Sequence, residues 1–174
     1  MRAERDSRDG SRTLLRFARE GTLHTDIVPE RDGSHLPAKN IHHDAVVDAL
    51  KADGWTITHD PLTLSIGVRR LYVDLGADKG AVAAEKEGRR IAVEVQSFLS
   101  NSDIDDLQHA IGQYILYRIL LGRIDPDRVL YLAVPDDAYR GILSEEVGKL
   151  VRAELKMPLI AFDPKARRIT QWTS

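Results

Sequence analysis

The chain reads as a mixed α/β, or α+β, domain with one sheet and helices on both of its sides. Three observations predict this. "RRIAVEVQSF", residues 89–98, alternates as a strand does, with Ile91, Val93 and Val95 on one face and Ala92, Glu94 and Gln96 on the other. "RVLYLAVP", residues 128–135, is almost continuously apolar, as a central strand buried on both faces must be. Between them, Ile104, Leu107, Ile111 and Ile115 recur at helical spacing over residues 103–121.

The elements follow in order. "MRAERDSRDGSR" is charged and without period, and "TLLRFAREGTL" offers one or two marginal turns. Residues 1–35 therefore read as a flexible extension, with seven arginines balanced by seven acidic residues. The ordered domain, residues 36–174, opens with a helix capped by Asn40 and beginning at Ile41. Ile41, Ala45, Val46, Ala49 and Leu50 supply its apolar face, and Gly54 ends it. "WTITHDPL" is a strand ended by Pro61. "VRRLYVDLG" alternates, with Leu71, Val73 and Leu75 on one side and Tyr72 and Asp74 on the other. "AVAAEKEGRRIAVEVQSF" suggests a hairpin turning near Glu87-Gly88. Ser102 and Asp105 open the long helix, and Gly122 is placed to end it. Helical turns follow over residues 136–155, and "PLIAFDP" and "RRITQWT" suit late strands at the sheet edge. The order is αβββαβ, then α and β.

Composition narrows the function. The chain has 174 residues, 43% hydrophobic and 30% charged, which suits a soluble globular domain with an ordinary core. No signal-peptide core and no cysteine occur, so a cytoplasmic setting without disulfide or thiolate chemistry is expected. The net charge of −2 is not the footprint of a protein that grips nucleic acid by charge alone. Action on DNA would need a metal ion or a partner protein to supply affinity.

Asp74 and Glu94 lie twenty residues apart on neighbouring strands, each on the less apolar side. If the strands pair, both carboxylates reach one point above the sheet. With a backbone carbonyl they form a hard oxygen site for Mg²⁺ or Mn²⁺. Such an ion activates water and stabilises phosphate charge in an in-line displacement. The same pattern also describes a solvated sheet face. Asp, then about twenty residues, then Glu-x-Gln resembles the PD-(D/E)xK nuclease pattern, whose last position is usually lysine.

The phrases "PAKNIHHDAVVDALKADGWTITHDPLTLSIGVRRLYVDLGADKGAVAAEKEGRRIAVEVQSF" and "DLQHAIGQYILYR" resemble the XisH family, the fdxN element excision controlling factors, from about Leu36 to Trp172. The resemblance implies a restriction-endonuclease-like fold. It also implies a role in programmed excision of a DNA element in cyanobacteria, beside a site-specific recombinase and a small partner, XisI. It places Asp74 and Glu94 at metal-ligand positions and Gln96 where lysine is usual. Glutamine keeps a donor but supplies no charge.

Further candidates lie on the helices. Nucleases of this kind often add an acidic residue from the first helix. Here His43 or Asp44 occupies that region, and His43 reads first as a packed or surface histidine. Gln113 and Tyr117 resemble the Q-x-x-x-Y motif of several nuclease groups and stand one turn apart. With His109 and Asp106 they form a ridge that suits a solvated helix face equally well. Asp60 and Asp163 precede prolines and read as turn residues. Trp55 and Trp172 read as core or edge anchors. Three readings result: an excision factor with metal-dependent endonuclease chemistry, an inactive nuclease-fold scaffold for a XisI-like protein, and an RNA-directed nuclease. A homo-oligomer is compatible with each.

Overall fold

The computed structural model describes residues 40–79 and 88–174. The expected extension over residues 1–35 and the expected turn at Glu87 lie outside them. The described elements are α1 (His43–Ala52), β1 (Thr56–His59), β2 (Leu62–Ile66), β3 (Arg69–Val73), β4 (Leu75–Lys79), β5 (Arg89–Val95), α2 (Asp103–Ile124), β6 (Arg128–Pro135), α3 (Asp136–Arg140), α4 (Glu146–Leu155), β7 (Leu159–Asp163) and β8 (Arg168–Thr173).

Six strands form one mixed sheet in the order β1-β4-β5-β6-β7-β8, and β2 and β3 form a separate antiparallel pair. The central β5, β6 and β7 run parallel, and the outer pairings are antiparallel. With the β2–β3 hairpin set aside, α1, β1, β4, β5, α2 and β6 follow the expected αβββαβ order.

The sheet separates two apolar cores. On one face Ile91, Val93 and Val95 of β5 meet Ala45, Val46 and Leu50 of α1. On the other, Ala92 joins Leu107, Ala110 and Tyr114 of α2, together with Leu62 and Leu64 of the hairpin. Period-2 alternation thus divides β5 between the cores as its sequence predicts. β6 is buried on both faces, with Leu132 and Val134 in one core and Tyr131 and Ala133 in the other. Trp55 and Trp172 pack with ring centroids 5.7 Å apart, as anchors of the α1 side. Among the described residues no helix is long and apolar enough to cross a membrane.

Several boundaries differ from expectation. Helix α1 starts at His43, because Asn40 spends its side chain on the preceding turn, accepting from the His42 N–H (2.9 Å). Ile41 is 74% exposed and lies off the apolar face. "VRRLYVDLG" is not one strand. It bends at Asp74, so Val73 enters the α2-side core and Leu75 the α1-side core. Helix α2 buries Leu107, Ala110, Tyr114 and Tyr117, whereas Ile104 is exposed. The Tyr114 and Tyr117 rings fill the core and rotate the stripe. Gly122 lies inside α2. The helix runs on to Asp125, whose carboxylate is held by Arg90 (2.9 Å) and Arg128 (2.9 Å). β7 is an inner strand, and β8 alone takes that edge.

Gly148 marks a tight contact in α4. A Cβ there would stand 2.1 Å from the Ile142 carbonyl oxygen. Gly148→Ala should therefore lower unfolding stability by about 1–3 kcal/mol, although alanine is the better helix former. A urea titration reads this directly, and an unchanged or higher midpoint would remove the close-contact account.

Candidate functional site

The pairing of β4 with β5 brings the two acidic residues together. The register sets Leu75 opposite Val93, and one further step sets Asp74 opposite Glu94. Side chains directly opposite in an antiparallel pair share a face, with Cβ atoms about 4.5–5.5 Å apart. The ladder stops here because the chain bends away into β3. The carboxylates take over its last bonds. Asp74 Oδ2 accepts from the Val95 N–H (2.8 Å), and Glu94 Oε2 makes a longer 3.4 Å contact with the Asp74 N–H. The pairing thus sets the two carboxyl groups beside one another at the end of the ladder.

The pair is electrostatically uncomfortable. Glu94 is 4% exposed, and its face of β5 looks into the α2-side core rather than into solvent. Burial, followed by the charge of Asp74, pushes the Glu94 carboxyl up to about 9, against a small opposing effect of its bond to the Asp74 backbone. Burial also raises Asp74. The Val95 hydrogen bond and the charge of His43 pull it back, and Asp60 adds to the rise. Tyr117 is pushed up to about 12 by burial and then by the charges of Glu94 and Asp74, with its Gln113 hydrogen bond opposing. A proton or a cation relieves such a pair.

The other candidates divide. Gln96 is half-buried, and its Nε2 donates to Gln113 Oε1. Gln113 in turn bonds Tyr117, so Gln96, Gln113 and Tyr117 form one neutral network beside the carboxylates. The Tyr117 side of α2 is thus not a solvated face. His109 is exposed, and Asp106 accepts from the Ser100 N–H (3.0 Å), so neither extends the network. His43 is 2% exposed and binds Asp60 through Nε2, at 2.9 and 3.0 Å from the two carboxylate oxygens. It acts on Asp74 through charge and makes no hydrogen bond to the pair.

Asp60 and Asn40 are the residues that sequence reasoning missed. Asp60 is more than a turn residue, because its carboxylate anchors buried His43 next to Asp74. The signal was the β2–β3 register. Leu62 pairs with Val73, so the residues before Leu62 lie beside Asp74. Asn40 Nδ2 donates to the Val95 carbonyl (3.0 Å) and ties the start of α1 to the site strand. Asp163 is a turn residue as expected, accepting from the N–H groups of Lys165 and Ala166.

Among the described residues no three His, Cys, Asp or Glu side chains gather into a set able to hold a metal ion. A cation at the pair would have the Asp74 and Glu94 oxygens as its side-chain donors. That donor set fits a hard ion such as Mg²⁺, which keeps several waters and takes one or two carboxylates. The Val95 carbonyl already accepts from Asn40.

No curated protein matches this chain. Two crystal structures resemble it. One is an XisH family protein from Nostoc punctiforme, 40% identical, with a TM-score of 0.69, covering 78% of this chain and 100% of that one. The other is an fdxN element excision controlling factor protein from Anabaena variabilis, also 40% identical, with a TM-score of 0.68, covering 76% of this chain and 98% of that one. The XisH protein family matches residues 36–170, which takes in the bend at Asp74, the β5 carboxylate and the α2 network, and the chain belongs to that family.

Proposed function

We propose that this chain is a divalent-metal-dependent DNA endonuclease that assists excision of a DNA element. One observation carries the reading: two carboxylates are held together in a buried place where Glu94 is pushed up to about 9. A serine or asparagine would complete the backbone ladder as well, without the cost of burying charge. Mg²⁺ or Mn²⁺ bound there would supply an activated water and stabilise charge on the phosphate. Asp74 and Glu94 hold it, the Val95 N–H fixes the Asp74 carboxylate, and the Gln113 bond fixes Gln96. Membership of the XisH family and likeness to an excision controlling factor support DNA as the substrate. A XisI-like protein and a site-specific recombinase are the proposed partners, and the cytoplasm is the proposed setting.

The test is strand nicking of supercoiled plasmid by purified protein with Mg²⁺ or Mn²⁺, alone and with a XisI-like protein. Nicking abolished by chelation is expected. Intact plasmid under every condition sinks the catalytic reading.

A second reading rests on Gln96. The network at the site is neutral where nucleases of this pattern place a lysine charge, and Gln96 is already committed to Gln113. On this reading the fold is a scaffold that binds a XisI-like protein. Capture of that protein by wild type and by Glu94→Gln alike, with no nicking by either, would favour it.

A further inference from the structure

We infer that the β2–β3 hairpin is the arm by which this protein holds duplex DNA, with Arg69 and Arg70 on the phosphate backbone and Val68 entering a groove. This rests on the reading above that the substrate is DNA.

The hairpin differs from the rest of the molecule in charge. Residues 61–73, "PLTLSIGVRRLYV", carry two arginines and no acidic residue, in a chain of net charge −2. Among the described residues, four other arginines are paired with carboxylates. Arg90 and Arg128 bind Asp125, Arg140 binds Asp136, and Arg167 binds Asp48. Arg69 and Arg70 are exposed and meet no carboxylate among the described residues. Arg69 and Arg70 point to opposite faces of β3, and exposed guanidinium groups with no carboxylate partner among the described residues are drawn to a polyanion, where each phosphate they neutralise releases counterions.

Its apolar tip points the same way. Leu62, Leu64 and Val73 fix the base of the hairpin in the α2-side core. The far end needs no apolar residue for folding, yet Val68 is 98% exposed and Ile66 42% exposed. Gly67, at φ +54°, makes the turn between them. An apolar side chain beside arginines is the equipment by which proteins wedge into the minor groove.

Position completes the argument. Strand β3 runs from Arg69 to Val73 and delivers the chain directly to Asp74. At ~3.4 Å per residue, Arg70 and Arg69 stand roughly 14–17 Å from the carboxylate pair, near half a turn of B-DNA. A duplex lying on the arm thus passes the pair.

The test is fluorescence anisotropy of a labelled DNA duplex with the full chain, the metal chelated so that no strand is cut. Arg69→Ala/Arg70→Ala should weaken binding on the order of tenfold or more and make the salt dependence shallower by about two. Val68→Ser should weaken binding and leave the salt slope unchanged. These exposed changes should not move the melting temperature. If the wild type binds and the double variant keeps both affinity and slope, the arm is overturned and the DNA reading stands. If the wild type neither binds duplex nor nicks plasmid, both fall. Tighter binding to an RNA duplex of the same sequence, or to polyglutamate, overturns DNA as the occupant.

Discussion

Asp74→Ala should reduce metal-dependent strand cleavage by on the order of 10²–10³, comparable to removing a preorganised electrostatic stabiliser. The change removes one of two side-chain donors to the cation. It also leaves the Val95 N–H, now bonded at 2.8 Å, without its acceptor. That loss costs about 1–3 kcal/mol of stability by itself. Asp74→Asn separates the two effects, because the amide oxygen still accepts from Val95 while the negative charge is gone. Both variants should therefore lose cleavage, and only the alanine should melt appreciably earlier. Plasmid nicking beside a thermal melt reads the pair of outcomes. An asparagine variant that cuts at the wild-type rate would end the proposal.

Glu94→Gln should change the pH dependence of stability. In the folded chain Glu94 titrates near 9, against an ordinary value of 4.5. Between these values the folded state binds the extra proton, so stability is complete below the lower value and is lost as pH rises toward the upper one. Glutamine does not titrate and removes that loss. Metal-free Glu94→Gln should exceed wild type by on the order of 2–3 kcal/mol at pH 7, with little difference near pH 4.5. Saturating Mn²⁺ should close most or all of that gap. It stabilises the wild type by about 3 kcal/mol at a hundredfold excess over its dissociation constant, and the variant much less. Denaturant titrations at several pH values, with chelator and with Mn²⁺, test both halves. A wild-type stability flat from pH 5 to 9 would show that the carboxyl is not buried in charge conflict.

How much of this was legible without coordinates follows from what each residue responds to. The alternation of β5 and the apolar run of β6 depend on period alone, and both were readable. Asp74 and Glu94 were readable as a pair because a short connection leaves few registers for β4 and β5. The bend at Asp74 was not readable. Val73 and Leu75 look like one face of one strand, and only the presence of two cores separates them. The stripe on α2 was readable through Leu107, Ile111 and Ile115, which all pack in the α2-side core, but not its edge, because Tyr114 and Tyr117 bury their rings while Ile104 does not. Asp60 was set aside as a turn residue, since its partner His43 is seventeen residues away and meets it only through tertiary packing. The commitment of Gln96 to Gln113 likewise depends on how α2 lies across the sheet.

The mutual bracing of residues 74 and 94 has an evolutionary consequence. The Asp74 carboxylate, and at longer reach that of Glu94, also stitch the seam where the ladder stops, so on the proposed reading shape and reactivity are carried by the same atoms. A relative released from the chemistry would drift first to asparagine and glutamine, which keep the stitch and drop the charge. Alanine at either place would open the seam.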